Sequence, residues 1–511
     1  MQLKPFLIAA TFLCFLQFVG TASLRPAGPM DRQRITIENW AEYGFFVLQG
    51  KYVDQLKPLT KIQVKNPPTF TGHQPLVFLP TFLFSVLSGS IPLGHVLGST
   101  LWIFTLFATL SLAFGRFGWL PSLVILSSPG VIAGIATLDP VPLSLFLMLP
   151  FFVAFSRNLF VVPESSLRSR LIFLSLVSFA ACLSWTSALA LAIWMPWCVM
   201  KAISEKKLLR LLPHIGVLCL VCVASLFFAL YSKQGQPTHD LADYFFTNTG
   251  YGLNMTWIKS LTSQGKFSSM MLWPVWFLIL LMICIYHKKL SRKSLLLASV
   301  PIASMLVLFG VLRNYTAHAP TLVAAPIAVH AVTALLLAIW THLQTENAFD
   351  PLSRLFKSHI WISIVFVNTA LLILWGMVIL PANRLKETLD RHTTRADLIV
   401  IDRELWGSRD FSSEFISRLF GREVILGDAN SLQNERAFYF LSDTRLDVST
   451  GATRKVQLIE VSPSPMTMWL DELWRNIPFH QSTRMRDFFH AGKPLQLFDV
   501  APNDANQQPR E

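Results

Sequence analysis

Runs of about twenty apolar residues, broken by short basic segments, fill roughly the first 380 positions of this chain. Hydropathy places candidate membrane helices at residues 5–24, 92–114, 119–137, 140–156, 171–185, 187–200, 211–231, 268–286, 294–312, 320–341 and 359–381. Helices of this kind satisfy their backbone hydrogen bonds internally, which a bilayer demands. One more apolar stretch, 76–87, is ambiguous because it is short for a span. From about residue 384 the pattern changes. Segments 396–402, 422–428, 435–443, 455–461 and 495–500 read as short strands, with an amphipathic helix at 411–421 between the first two. The last residues, 504–511, are polar and read as a disordered tail.

Charge decides the ambiguous stretch. If 76–87 does not span, one face receives Arg116, then Arg157, Arg168 and Arg170, then Lys201, Lys206, Lys207 and Arg210. The same face receives Lys288, Lys289, Arg292 and Lys293, and later Arg354 and Lys357. The opposite loops at 233–267 and 313–319 carry only Lys233, Lys259, Lys266 and Arg313; the opening loop is richer in Lys and Arg, but long loops weigh little in this count. Basic short loops stay in the cytoplasm, so this arrangement obeys the positive-inside rule and a spanning 76–87 would invert it. The stretch is therefore expected to lie at the outer interface or dip into it. The sequence predicts an all-α polytopic membrane domain of about eleven transmembrane helices. Its N-terminus is cytoplasmic, and a small α/β domain follows on the extracytoplasmic side. The expected domains are residues 1–382, including an outer loop at 25–91, then 383–503, then the tail 504–511.

Composition agrees with a membrane protein: of 511 residues, 52% are hydrophobic and only 14% charged. The net charge of +13 does not indicate nucleic acid, because the Lys and Arg cluster between apolar spans. The six cysteines all lie inside apolar runs, which suggests neither a disulfide framework nor a thiolate metal site. The first run is long for a signal peptide and reads as an uncleaved anchor.

Candidate chemistry sits in the outer loops. Glu38 opens a segment in which Trp40, Tyr43, Phe46 and Val47 recur at helical spacing, as in an amphipathic helix lying on a membrane. Glu38 could equally cap that helix by charge, and Glu42 reads as a solvated residue. Asp139 stands at a hinge between two apolar helices, just before Pro140. An ionisable group there faces water or a cavity; N-capping is its alternative role.

Four motifs follow one another along the chain. Glu38 precedes a segment ending in Gly50-Lys51-Tyr52. A proline-rich tract, Pro67-Pro68 and His73-Gln74-Pro75-Leu76, runs into an apolar segment ending at Ser88-Gly89. Leu138-Asp139-Pro140 forms the hinge, and a late outer loop carries Arg313, Tyr315 and His318 before Pro320. In this order and sidedness the chain resembles the multi-pass glycosyltransferases of the GT-C fold, which include protein O-mannosyltransferases and aminoarabinose transferases. The resemblance covers roughly residues 5–381. Two positions depart from it: Asn39 stands where many members carry a second acid, and Lys65-Asn66-Pro67 replaces Glu-Lys-Pro. An acid is thus absent where the aminoarabinose branch is associated with a metal. A divalent metal is not required by the sequence, and its involvement is left open.

The resemblance implies transfer of a sugar from a polyprenyl-phosphate-linked donor to a lipid, glycan or protein acceptor at the outer face of the cell (inner) membrane. It implies Glu38 and Asp139 as catalytic carboxylates, with a base taking the acceptor's proton. Arg313 is the leading candidate to neutralise the leaving phosphate, with Lys65 and His318 beside it. Tyr315, His73 and Tyr43 complete the expected substrate-binding set. Arg313 could instead snorkel at a helix end, and His73 could fix a turn. Two other classes stay open: a transporter of lipid-linked sugars, for which no internal repeat is evident, and a non-catalytic relative.

Overall fold

The computed structural model describes residues 3–23, 75–136, 138, 140–160, 187–231, 272–288, 290, 292–311, 325–345, 367–368, 370, 389, 391–394, 397–402, 424–427, 438–442, 459–461 and 495–500. The chain divides into two compact units: Met1–Ser23 with Phe70–Ile373, and Leu24–Thr69 with Leu374–Glu511.

The described part of the first unit is helical: α1 (Leu3–Ser23), a 3-10 turn (Pro75–Phe78), α2 (Leu79–Ser88), α3 (Ile91–Phe114), α4 (Trp119–Leu126), α5 (Pro129–Ala136) and α6 (Pro140–Phe160). It continues with α7 (Ser187–Ser204), α8 (Leu208–Tyr231), α9 (Trp273–Tyr286), α10 (Arg292–Val311) and α11 (Ala325–Thr345). Among the described residues four helices, α1, α3, α6 and α11, contain stretches long and apolar enough to cross a membrane, and the bent pair α4–α5 would make a fifth. The spans expected at 171–185 and, apart from 367–368 and 370, at 359–381 lie outside the described residues.

The first helix is a working part of the helical core. Leu13 and Leu16 are fully buried, and Phe6 stacks on Phe107 of α3 with ring centres 5.0 Å apart. Deeper in the unit, three helices interlock through His330 of α11. Trp194 of α7 donates its indole N–H to His330 Nδ1 at 2.8 Å, and His330 Nε2 hydrogen-bonds the Leu145 carbonyl of α6. An indole can only donate, so Nδ1 accepts and the proton resides on Nε2, which makes the ring neutral. Phe152 stacks flat against Trp194, at 5.4 Å and 8°.

The sequence predicts one continuous helix over 119–137, and the structure breaks it. The α4 and α5 axes meet at 71° across Ser127 and Ser128. Pro129 explains the break: it lacks an N–H, and its ring disfavours helical geometry at the residue before it. Backbone groups freed inside a membrane must find partners. The Ser127 carbonyl accepts from Asn368 Nδ2 at 2.7 Å, and Asn368 Oδ1 in turn accepts from the Trp273 indole at 2.8 Å.

The stretch expected at the interface, 76–87, forms the 3-10 turn and α2. It folds back along α3 through Gly89, whose φ of +63° suits the left-handed C-cap, and Ser90, whose hydroxyl caps α3 at Leu93 N–H. At 10 residues α2 is about 15 Å long, too short to cross alone.

The described part of the second unit contains one five-stranded sheet of β1 (Ile399–Asp402), β2 (Val424–Gly427), β3 (Phe438–Ser442), β4 (Ile459–Val461) and β5 (Leu495–Val500), in the order β2-β1-β3-β5-β4. Each of the five predicted strand segments contains one of these strands. β1 runs parallel to both β2 and β3, whereas β5 is antiparallel to β3 and β4. Parallel neighbours need long crossover connections, and the intervals between β1, β2 and β3 supply them. The helix predicted at 411–421 lies in the first interval, outside the described residues. The described core of the sheet includes buried Ile399 and Val400 of β1, Phe438, Phe440 and Leu441 of β3, and Leu497 and Phe498 of β5.

Candidate functional site

The part of the predicted site that the structure frames is the hinge before Pro140. It is reached through α5, a helix of only eight residues. Three side chains from three other segments hold backbone carbonyls along this short piece. Asn368 holds Ser127 at its entry, as described above. In its middle, Gln17 of α1 donates from Nε2 to the Ile132 carbonyl at 3.2 Å. At its exit, His95 of α3 hydrogen-bonds through Nε2 to the Ala136 carbonyl at 2.8 Å. A carbonyl accepts only, so His95 Nε2 carries the proton in this bond. The last carbonyls of a helix have no partner within it, so the imidazole acts here as a C-terminal cap.

The Gln17 anchor belongs to a directed chain of polar groups between α1 and α3. Gln17 Nε2 donates to Thr21 Oγ1 at 3.1 Å, the Thr21 and Ser99 hydroxyls hydrogen-bond at 2.9 Å, and Ser99 donates to the Val96 carbonyl at 2.9 Å. Because Ser99 spends its proton on Val96, Thr21 is the donor between the two hydroxyls. All three side chains are fully buried. Polar groups at such positions cost several kcal/mol each, roughly, when left unpaired in hydrocarbon.

Between α5 and α6 the chain turns at Leu138, which has φ +48° and no solvent exposure. Its N–H donates to the Ile135 carbonyl at 3.0 Å. A left-handed conformation costs a leucine about 1–2 kcal/mol, and such residues persist only where their surroundings enforce them. The packed side chain and the His95 cap provide that enforcement. α6 begins at Pro140, as the sequence predicts, so position 139 directly precedes the first helical residue.

All eight predicted site residues, Glu38, Tyr43, Lys65, His73, Asp139, Arg313, Tyr315 and His318, lie outside the described residues. Their neighbours are placed. His73 precedes the Pro75 turn by two positions, Arg313 follows the end of α10 by two, and His318 precedes α11. Among the described residues no group of three or more His, Cys, Asp or Glu is arranged to hold a metal ion. Gln17, His95 and Asn368 were not singled out from the sequence. The available signal was a polar residue inside an apolar run, which in a membrane helix calls for a partner.

No family model and no curated protein matches the sequence. The fold does find a match. The crystal structure of ArnT from Cupriavidus metallidurans bound to undecaprenyl phosphate superposes with a TM-score of 0.58 at 11% identity, covering 98% of this chain and 99% of that one. The chain has the ArnT fold. ArnT is a GT-C glycosyltransferase, an aminoarabinose transferase, so the resemblance read from the motif order and the structural likeness agree. The molecule is an integral membrane protein of mostly helical, ArnT-like architecture.

Proposed function

We propose that this chain is a membrane glycosyltransferase that moves a sugar from a polyprenyl-phosphate donor to a lipid, glycan or protein acceptor at the outer face of the membrane. The observation that carries the reading is the end-to-end likeness to an ArnT that holds undecaprenyl phosphate, joined to the motif order Glu38, His73-Gln74-Pro75-Leu76, Asp139 and Arg313. The buried, left-handed Leu138 adds support, because strained backbone next to an acid is a common mark of a functional hinge.

In this reading about eleven helices cross the membrane, the N-terminus is cytoplasmic, and the C-terminal domain is an extracytoplasmic α/β unit. Glu38 or Asp139 takes the proton from the acceptor hydroxyl, aided by a low-dielectric surface that raises carboxylate basicity. Arg313 neutralises the phosphate as the sugar leaves, with Lys65 and His318 nearby; His73, Tyr43 and Tyr315 contact the substrates. Glu38-Asn39 and Lys65-Asn66-Pro67 offer fewer acids than the aminoarabinose branch, so no step is routed through a metal ion.

The test is sugar transfer by Glu38→Gln and Asp139→Asn in protein that still folds, read by profiling envelope lipids and glycans of a deletion strain complemented with each variant. Loss of transfer in both supports the assignment. Full activity in both overturns the assignment of these two carboxylates, whereas no transfer by the wild-type protein itself favours the non-catalytic relative.

A further inference from the structure

Where α7 ends and α10 begins, the helical unit is strongly basic. Residues 201–210 and 287–293 each hold four lysines and arginines, and together they hold one acid, Glu205. That acid is already engaged: Lys207 Nζ lies 2.8 Å from one carboxylate oxygen and Lys201 Nζ 4.0 Å from the other. Lys201 is further occupied with aromatic faces, 4.5 Å from the centre of the Phe160 ring and 5.3 Å from that of Trp197. Lys293, by contrast, is exposed and makes no hydrogen bond or ion pair among the described residues.

Beside Lys293 opens a groove of about 290 Å³. Met200 and Ile203 from the last turn of α7 form one wall, and Leu296 and Val300 from the first turns of α10 form the other. Met200, Ile203 and Leu296 are 47%, 54% and 71% exposed, so the groove stands open along its length. Its volume approaches the lower end of ligand pockets, about 300 Å³, enough for part of one acyl chain. An apolar cleft lined by the exposed Lys293 and set beside sequence segments of excess positive charge matches an amphiphile with an anionic head.

We infer that this groove is a headgroup-selective site for an anionic phospholipid, its phosphate held by Lys293 and one acyl chain lying between α7 and α10. By the charge rule this end of the helices is cytoplasmic, the leaflet whose anionic lipids attract such clusters. The site is separate from the outer-face chemistry and rests on membrane insertion and the charge-derived topology, so it stands or falls independently of sugar transfer.

The experiment titrates delipidated full-length protein in detergent with phosphatidylglycerol or phosphatidylcholine of identical chains, with native mass spectrometry counting bound lipid. One phosphatidylglycerol per chain should be retained, saturably and at least fivefold in preference to phosphatidylcholine, with no competition from inorganic phosphate. Lys293→Gln should weaken phosphatidylglycerol binding about fivefold, the weight of one basic side chain at an anionic surface. Ile203→Trp, which fills the groove without changing charge, should abolish it. Equal retention of the two lipids, competition by phosphate, or unchanged binding by Lys293→Gln overturns the inference. So does a dimer that Ile203→Trp dissociates, since a second chain would then be the occupant. The exposed Lys293→Gln keeps the test sound if Ile203→Trp fails to fold.

Discussion

Thr81 lies so close to Gly98 that a β-carbon on residue 98 would come within 2.3 Å of its hydroxyl and 2.8 Å of its backbone. One turn away, Gly94 meets Ser85 in the same manner, at 2.1 Å from the hydroxyl and 2.5 Å from the backbone nitrogen. In the other direction, the Trp102 indole donates to the Val77 carbonyl at 2.9 Å. The three pairs advance in steps of four in opposite directions, so the 75–88 segment runs antiparallel beside α3 for three turns. Gly94 and Gly98 are the small residues that let two helix backbones approach without a hydrophobic driving force. The contact lays the segment alongside α3 rather than apart from it. Val77 sits eleven residues, about 17 Å, along that helix from its start.

Gly98→Ala should therefore destabilise the helical unit by about 1–3 kcal/mol, the usual range for overpacking, even though alanine is the better helix former. Gly216→Ala in α8 is the control, because a β-carbon there meets nothing within 4 Å. Thermal unfolding in detergent should show a lower midpoint for the first and an unchanged or higher one for the second. Equal midpoints would refute the close packing.

Asn368 is the only described side chain holding the Ser127 carbonyl at the break between α4 and α5. Asn368→Leu keeps the branched shape, though it is larger, and leaves that carbonyl and the Trp273 N–H unpaired, at a cost of about 1–3 kcal/mol for each group. Trp273→Phe leaves one such group, Asn368 Oδ1, without its donor, and about 1–3 kcal/mol is expected. The ordering of the two midpoints, with Asn368→Leu clearly lower, is the measurement.

Parts of this architecture were written locally in the sequence. The apolar lengths of α1, α3, α6 and α11 are properties of contiguous residues, and so are the short β-branched and aromatic runs that became β1 to β5. The bend at Ser127 was masked because hydropathy averages across Ser127, Ser128 and Pro129, although the proline itself was visible. The sheet order was not legible, since pairing β1 with β3 rather than β4 depends on chain-distant contacts. The same holds for Gln17 and Asn368, whose carbonyl partners lie 115 and 241 positions away. A side chain that caps a distant backbone leaves no periodic trace. The eight predicted chemical residues are the reverse case: they came from motif order, and the described structure supplies their flanks.

His95 caps the end of α5 and so sets the direction in which the chain enters the hinge. As a positioning residue for the proposed chemistry, His95→Ala should lower kcat for sugar transfer about tenfold with little change in KM. His95→Gln, which retains a donor, should recover most of the loss. A structural role alone would move the unfolding midpoint without this rescue of turnover, so both quantities are measured on the same preparations.

Leu138 offers the sharpest separation of stability from activity. Leu138→Ala loses a fully buried side chain while keeping a β-carbon in the left-handed region, and a cost of about 2–5 kcal/mol is expected. Leu138→Gly loses the same burial and slightly more, yet glycine adopts φ +48° without the steric penalty, which returns about 1 kcal/mol. Glycine should thus be the less destabilising of the two, the opposite of their order in a helix. Activity should run the other way. On the proposed role of Asp139, a strained, packed leucine fixes the backbone directly before it, and glycine frees both torsions at position 138. Leu138→Gly should accordingly show the lower kcat despite the higher unfolding midpoint. If kcat instead tracks the midpoint across wild type, glycine and alanine, the hinge serves folding only, and the case for Asp139 loses its structural support.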